Sequence, residues 1–398
     1  MKKHVLQAGI VVGLLVILTY GIMSWNSSSD DSTSEDHSVE EVQDQTLKSN
    51  ASNESGGAVG QASPATSEKG EVNNEVATKS LKFQTTVLKG FYKAKNPVGA
   101  LMDYLQKAVS PGQLAEYLAN ASDRIAGFVL RAADVAGAGT PGLLYQAHGL
   151  GFAGSPWQPD EPFIDVLRFP VPLKNYLHDA MAPDVVDRPP FTGTGFAHWE
   201  GGQAPLFFLD EVRLPAGSEL WRVHASGAEE LLAVYTDVGY GWTVIAEGLG
   251  DVARPVPPSF LMGWRAMWRG VEFSADLLDG GRKVVLASAE EPPAGYDGFV
   301  RTPRLVWRAE VPVAEVTDVY ELYVSCLYQG LEFRVTDVAA DADGRVFRLS
   351  YVGHDADFAE GIGLNKADAG VYWTLAREAD VRDLKFVQNR LASMPNAE

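Results

Sequence analysis

An uncharged apolar run close to the N-terminus constrains this chain more than any other feature. Residues 5–25 contain no Asp, Glu, Lys or Arg. About 20 apolar residues, each rising about 1.5 Å in a helix, span a hydrocarbon core of about 30 Å. Lys2 and Lys3 precede the run and acidic residues dominate after it. Because positive flanks stay in the cytoplasm, we expect 1–26 to be a single-pass anchor in the cell membrane, with the C-terminal region extracytoplasmic.

A cleaved signal peptide is the alternative interpretation of the same run, since signal peptides also place a short apolar segment behind basic residues. Cleavage requires small residues, and residues 22–24 read Ile-Met-Ser, which is a poor site. The single cysteine, Cys326, lies far from this region, so a lipoprotein modification is not expected. The pattern therefore favours an uncleaved anchor over a signal peptide, and both over a helix buried in a protein core.

A composition shift separates the anchor from the rest of the chain. Residues 27–80 are rich in Ser, Asn, Asp, Glu, Gly and Ala, contain no aromatic residue, and carry eleven acidic side chains against three lysines. Such a segment buries too little apolar surface to offset the entropy lost on ordering. We therefore predict a disordered acidic linker over 27–80, with an average reach of about 40 Å.

Charge and cysteine content limit the partners and the compartment of the remaining chain. The formal net charge is -19 and the isoelectric point is about 4.8, so the phosphate backbone of a nucleic acid would be repelled. One cysteine forms no internal disulfide, which fits a bacterial cell envelope better than a eukaryotic secretory route. Cys326 lies in an apolar stretch and is interpreted as a small buried side chain.

Two segments after the linker differ in the period of their apolar residues. Over 81–140, apolar residues recur at steps of three and four, with Ser110-Pro111 as a helix start, which predicts a helical segment. Over 141–258 a period of two appears from about residue 206, with turns at 215–217 and 226–227, which predicts a meander of strands. Residues 151–204 are rich in Pro, Gly and aromatics, so we expect 141–258 to be an irregular β domain.

The last third of the chain contains an internal similarity. Residues 268–273 (WRGVEF) align with residues 328–333 (YQGLEF), and a glycine turn followed by an apolar strand comes next in both segments. A later strand aligns from residue 306 in the first segment and from residue 371 in the second. We therefore predict two units of about 60 residues, 259–320 and 321–398, the second including a C-terminal tail.

The order of strands in each unit, with a short turn before the last one, resembles the SH3-like small β-barrel. The resemblance covers residues 259–387, and the second copy departs from it at Ala376-Arg377, where the first has Val311-Pro312. It implies two tandem barrels. The expected fold is mainly β with a helical N-terminal segment, comprising the anchor, the linker, the irregular β domain and the barrels.

Motifs for catalysis or cofactor binding are not recognisable in the sequence. The histidines after the linker are not at metal-ligand spacings from one another, so the sequence supports no metal site. The pairs His178-Asp179 and His198 with Glu200 are neighbours that chance supplies in so acidic a chain. Residues 149–154 fit the spacing of a dinucleotide-binding glycine loop but lack its βαβ context. We therefore assign no catalytic residue, no metal ligand and no cofactor.

Aromatic residues at corresponding places in the two units are the candidate binding residues. On a small barrel, side chains at such places line a groove for extended peptides, although strand alternation sends every second residue into the core. The candidates are Trp264, Trp268, Arg269, Trp307, Tyr328, Tyr372 and Trp373.

The leading functional hypothesis is a membrane-anchored binding or scaffolding protein whose repeats engage a protein or cell-wall polymer, with no nucleic-acid partner. Two alternatives stay open. One is a surface-displayed or secreted enzyme or toxin with a divergent catalytic site in 141–258. The other is a structural component of an envelope or secretion assembly. An enclosed cleft with convergent histidines and carboxylates would favour the enzyme.

Overall fold

The computed structural model describes residues 104–152, 154–170, 176–179, 195–249 and 256–390. These residues are mainly β, as the sequence predicts. The predicted anchor and linker, 1–80, lie outside the described residues. Within the described part of the chain, every helix is too short or too polar to cross a bilayer.

Ten strands come from the first half of the described chain. In chain order they are β1 (Tyr104–Val109), β2 (Arg124–Arg131), β3 (Phe163–Pro170), β4 (Leu177–Asp179), β5 (Phe196–Trp199), β6 (Gly202–Pro205), β7 (Phe207–Arg213), β8 (Ser218–His224), β9 (Glu229–Asp237) and β10 (Gly241–Val244). Eight of them form one sheet in the order β10-β9-β8-β3-β1-β2-β7-β4, while β5 and β6 pair separately. All the pairings are antiparallel.

Eleven strands from the second half form another sheet. They are β11 (Gly263–Trp268), β12 (Val271–Leu278), β13 (Lys283–Ser288), β14 (Val300–Arg301), β15 (Trp307–Pro312), β16 (Val316–Tyr328), β17 (Leu331–Asp341), β18 (Gly344–Tyr351), β19 (Asn365–Asp368), β20 (Val371–Arg377) and β21 (Val381–Arg390). The order is β14-β15-β13-β12-β11-β16-β17-β18-β20-β19, with β21 on the other edge of β16.

Three short α-helices lie among these strands: α1 (Pro111–Leu118), α2 (Pro141–Ala147) and α3 (Ala356–Gly361). The predicted helix start at Ser110-Pro111 is confirmed. The Ser110 hydroxyl accepts from the Gln113 backbone N–H, and the Gln113 side chain accepts from the Ser110 N–H, which completes a capping box. Thr140 and Asp355 cap α2 and α3 in the same position.

The prediction of a helical segment over 81–140 is wrong for most of its described part. Only α1 is an α-helix there, and the flanking segments are the strands β1 and β2. Residues 124–131 have apolar side chains at both helical and alternating positions, so their period does not separate the two structures. Pairing with β7 and β1 decides the outcome, because it satisfies the backbone of β2 on both edges. The eight-stranded sheet therefore also crosses the boundary predicted at residue 140.

The strands of the meander predicted from residue 206 are present, but the predicted pairing of its first two strands is wrong. β7, β8 and β9 form where expected, but β7 pairs with β2 and β4, while β8 pairs with β3. The inserted partner, β3, lies in the segment predicted to be loop-rich. Six consecutive residues of its eight are buried, among them the charged Asp165 and Arg168, so the strand is covered on both faces.

The second sheet contains two five-stranded paths with the same pairings. In the first, β11 pairs β12, β12 pairs β13, β13 pairs β15, and a 3₁₀ turn at Val313–Glu315 leads into β16, which returns to β11. In the second, β16 pairs β17, β17 pairs β18, β18 pairs β20, and a 3₁₀ turn at Glu378–Asp380 leads into β21, which returns to β16. These paths are called the first unit and the second unit below.

The hairpin that opens each unit has the same geometry. Arg269 and Gly270 have φ values of 50° and 84°, and Gln329 and Gly330 have values of 53° and 82°. Two positive φ angles in a two-residue connection define the turn whose twist fits a hairpin. Phe273 and Phe333 follow on the second strands and are 3% and 1% exposed, so both lie in the core.

One strand serves both units. β16 is 13 residues long; its first half pairs with β11 and its second half with β17. The boundary predicted between residues 320 and 321 falls inside this strand. The units are therefore joined by continuous backbone hydrogen bonding and not by a linker.

Candidate functional site

The predicted aromatic residues of the first unit are mostly part of its core. Trp268 is 2% exposed and contacts the rings of Phe273, Tyr296 and Phe299 at centroid distances of 6.4, 5.5 and 6.1 Å. The exposed Arg269 lies over the Trp268 ring at 4.3 Å, and its Nη1 donates to the Gly295 carbonyl at 3.1 Å. Trp268 is therefore a core residue, and the Arg269 side chain shields its ring from solvent.

The remaining candidates lie in separate places. Trp264 packs on the same cluster as Trp268, while Trp307 is a half-buried residue of β15 opposite Ser288. In the second unit, Tyr328 is half-buried against Phe333. Tyr372 is 1% exposed and donates from its hydroxyl to Glu360 Oε1 at 2.6 Å.

Trp373 completes the set, with the Arg348 guanidinium 4.9 Å from its ring centroid. Trp264 and Trp268 belong to one core cluster, Tyr328 to a second and Tyr372 to a third. The structure therefore does not bring the seven predicted residues into one groove.

A group of polar residues that the sequence did not indicate converges beside β4 and β7. His178 Nε2 lies 2.9 Å from Asp210 Oδ2, and His354 Nε2 lies 2.9 Å from Asp210 Oδ1. The two imidazole rings are 4.8 Å apart. Exposure of the side chains is 32% for His178, 11% for Asp210 and 4% for His354. Asp210 and His354 are therefore shielded from solvent, whereas His178 is accessible to it.

Strand register explains two of these positions. His178 on β4 is opposite Phe208 on β7, so it lies diagonal to Asp210 on the same face. His354 arrives from the turn after β18 and has a φ of 55°, in the left-handed region. The ring of Phe208 lies 4.8 Å from that of His354 and supports it. His178 pairs with Asp210, which lies 32 residues away in the sequence.

Hydrogen bonding keeps Asp210 ionised. Burial alone would raise the pKa of its carboxyl group, but the hydrogen bonds from His178 and His354 outweigh burial and hold the pKa below its ordinary value. An ionised carboxylate between two imidazoles is able to bind a cation or to orient an imidazole for proton transfer.

A layer of buried charges joins the two sheets. Asp123 accepts from the Ser259 backbone N–H and hydroxyl at 3.0 and 2.7 Å, and Arg304 Nη2 lies 3.4 Å away. These contacts outweigh burial and hold the pKa of Asp123 below its ordinary value. Arg124 pairs with Asp337 across the same layer. Each of these charges has a partner from the other half of the chain, so the layer is structural.

A small cavity lies beside β1 and β2 of the eight-stranded sheet. Its lining includes Lys107, His148 and Asp368, and Lys107 Nζ lies 2.9 Å from Asp368 Oδ2. Burial, with the charges of Lys107 and Arg168, lowers the pKa of His148 to about 3. His148 is therefore neutral, and its Nε2 is 3.1 Å from the side-chain amide of Gln106.

No protein-family model, curated protein or solved structure matches this chain. Its function is therefore inferred from the arrangement of its own residues.

Proposed function

We propose that this chain is a membrane-anchored extracytoplasmic binding or scaffolding protein, in which two SH3-like barrels engage a protein or cell-wall polymer. The observation that carries the proposal is the placement of exposed apolar side chains. Four of the seven large ones among the described residues lie in 289–306 and 352–370, the corresponding connections between the third and fourth strands of the two units. Exposed apolar side chains gathered in one region mark interaction surfaces.

The strand path of each unit supports the barrel assignment. A hairpin, two further antiparallel strands, a 3₁₀ turn and a last strand that returns to the first occur in this order in both units. Register agrees as well: Lys283 pairs with Pro312 in the first unit, and Val346 with Arg377 in the second. A duplicated small barrel offers two similar surfaces, which suits a partner with repeated or extended structure.

The connection surface of the second unit consists of Tyr351, Phe358 and Ile362. Phe358 and Ile362 are 42% and 41% exposed at α3, and the Phe358 ring stacks on Tyr351 at 6.4 Å. Asp355 caps this helix by accepting from the Phe358 backbone N–H. The fixed helix holds an aromatic side chain at the surface, where it loses little entropy on binding.

The connection surface of the first unit consists of Tyr296, Val300 and Leu305. Val300 is 52% exposed and Leu305 is 37% exposed. Leu305 also has a φ of 60°, an uncommon conformation for a non-glycine residue. The Tyr296 hydroxyl donates to the Arg269 carbonyl at 2.7 Å, which fixes this connection against the opening hairpin.

The apolar run, the acidic linker and the net negative charge support an extracytoplasmic location for the folded region. The apolar run at 5–25 supplies the anchor, and the acidic linker carries no aromatic residue that would dock on the folded part. A net charge of -19 disfavours nucleic acid as the partner. Protease added to intact protoplasts tests this location: digestion of the region after the linker is expected, and complete protection of that region would contradict it.

Site-specific photo-crosslinking tests the binding surfaces in the full chain in its native cells. The photo-reactive residue replaces Phe358 or Val300, and the matched controls replace Phe196 and Val387, which are 39% and 43% exposed but lie outside both connections. Discrete adducts are expected only at the first two positions. Equal adducts at all four positions, or none at any, would overturn the proposed surface.

Cosedimentation with purified cell-wall sacculi distinguishes the two partner classes. If the partner is the polymer, the full chain pellets with sacculi, and Phe358→Ala weakens pelleting while Phe196→Ala does not. If the partner is a protein, pelleting is absent and the crosslinked adduct has a defined mass. Absence of both results would remove the binding function.

One observation favours a second candidate, an extracytoplasmic enzyme. His178 and Asp210 lie within 141–258, converge with His354, and include a carboxylate with a shifted pKa. Turnover of ester, peptide or phosphodiester substrates that Asp210→Asn abolishes would support it. Equal turnover by the variant, or none by the full chain, would contradict it.

A further inference from the structure

Three side chains from separate parts of the chain present metal-ligand atoms to one another. We propose that His178, Asp210 and His354 bind a divalent ion of the zinc class through two imidazole nitrogens and one carboxylate oxygen. Their nearest ligand atoms all lie within 4.8 Å of one another. This inference does not depend on the binding function proposed above.

The donor set selects the class of ion. Imidazole nitrogen suits Zn²⁺ and its transition-metal neighbours, whereas Mg²⁺ and Ca²⁺ take oxygen ligands almost exclusively. Two histidines with one carboxylate make three protein ligands, and three ligands leave a coordination position for water. The 32% exposure of the His178 side chain provides the opening for that water and for entry of the ion.

The geometry needs only a small contraction. Ligand atoms at about 2.1 Å from a tetrahedral ion lie about 3.4 Å from one another. Each imidazole Nε2 is 2.9 Å from a different oxygen of Asp210, so binding through one of these oxygens widens one contact slightly and brings the other imidazole toward the ion. Rotation of His178, the most exposed of the three side chains, supplies this movement without displacing β7.

Metal binding requires each ligand atom to be free of its proton. Each Nε2 must present its lone pair, so its proton leaves or moves to Nδ1 when the ion enters. The ring of Phe208 covers His354 and excludes water from one side of the site.

Backbone geometry shows that His354 is held in place. Its φ of 55° lies in the left-handed region, which histidine enters more readily than most non-glycine residues, and its side chain is nearly buried. Since Asp210 belongs to the eight-stranded sheet and His354 follows β18 of the second unit, an ion bound here ties the two sheets together.

Another histidine–carboxylate pair provides the matched control. His224 Nε2 lies 3.2 Å from Glu230 Oε2, both are exposed, and neither belongs to the three-residue group. A surface pair offers two ligands where the proposed site offers three, so its removal should leave metal affinity unchanged.

The test uses the untagged full chain in detergent, freed of metal by chelation and then titrated with Co²⁺ or Zn²⁺. Co²⁺ is expected to give visible absorption bands that saturate at one equivalent, and Zn²⁺ to displace it and raise the melting temperature. His178→Gln and Asp210→Asn should each lower Co²⁺ affinity by about 100-fold or more, whereas His224→Gln should leave it unchanged. Mg²⁺ and Ca²⁺ should not compete.

Three outcomes would overturn the proposal. One is absence of cobalt bands in the wild-type chain at micromolar protein. A second is an unchanged Co²⁺ affinity in His178→Gln. Because His178 is partly exposed, this variant is expected to fold. The third is an equal loss in His224→Gln, which would indicate adventitious binding. Circular dichroism of each variant identifies any that fail to fold, and the wild-type cobalt spectrum decides the question without them.

Discussion

Arg348 of β18 and Glu211 of β7 form an ion pair between the two sheets, with Arg348 Nη1 2.6 Å from Glu211 Oε2. Both side chains are largely buried, at 11% and 3% exposure. The pair counteracts burial and holds the pKa of Glu211 below its ordinary value. Removing Arg348 would leave the buried Glu211 carboxylate with only the more distant Arg124, at 3.9 Å, as a charged partner.

We therefore expect Arg348→Met to lower the free energy of unfolding by about 3–5 kcal/mol, the usual cost of breaking a buried pair. Urea denaturation of the full chain measures the change. Arg377→Met is the control, because Arg377 and Asp341 form an exposed pair in the same unit and should matter far less. Equal effects of the two substitutions would show that the inter-sheet pair does not stabilise the fold.

The two corresponding phenylalanines should contribute similarly to stability. Phe273→Ala and Phe333→Ala each remove a buried ring from the core of one unit, at an expected cost of about 3–5 kcal/mol. Phe196→Ala, at a partly exposed site, should cost much less. Chemical denaturation of the three variants tests this, and a small effect at only one core position would mean that the units are packed differently.

Glu321 should make stability depend on pH. Burial raises the pKa of its carboxyl group from the ordinary 4.5 to about 7, despite the attraction of Arg334. The folded chain therefore holds this proton more tightly than the unfolded chain. The contribution of protonated Glu321 to the free energy of unfolding is fully present below about pH 4.5 and is lost as the pH rises through about 7. Above about pH 7, Glu321→Gln should thus have a free energy of unfolding higher than that of wild type by on the order of 1–3 kcal/mol. Below about pH 4.5 the two proteins should differ little.

Denaturation of wild type and Glu321→Gln at several pH values checks the sign. The exposed Glu332 on β17 provides the control, since Glu332→Gln should not change the pH dependence. If Glu321→Gln raised the free energy of unfolding equally at acidic and alkaline pH, the effect would come from packing and not from titration of Glu321.

Cys326 should be unreactive in the folded chain. It is buried opposite Phe333, and burial, with the charge of Glu332, raises the pKa of its thiol to about 11. The thiolate is the reactive form, so alkylation near neutral pH should be slow in the native protein and fast in denaturant. Mass spectrometry after timed alkylation measures both rates. Rapid native labelling would place the thiol at the surface.

Local patterns predicted the parts of the fold that local geometry determines. The glycine turns predicted after residues 273 and 333 are present at 279–281 and at Gly344, whereas the two-residue turns at Gly270 and Gly330 were not predicted. Burial of Cys326 was also predicted, from its apolar neighbours. In each case the neighbours in sequence are also the neighbours in space.

Non-local pairing accounts for what was missed. The period of residues 124–131 fits a helix and a strand equally, and only pairing with β7 and β1 decides between them. The His178, Asp210 and His354 group depends on β4 pairing with β7 and on a turn far along the chain, so no spacing reveals it. Trp268 and Tyr372 were candidates for binding because sequence position does not distinguish an outward side chain from an inward one.

The continuity of β16 also limits how such a chain is able to change by recombination. An exchange that introduced one unit from elsewhere would have to break within a single strand, and the remaining half would keep an unpaired edge. Insertions at residues 289–299 or 352–364 meet no such obstacle, since these parts of the connections contain no strand. Diversification of this architecture should therefore occur in the connections, while the two units are inherited together.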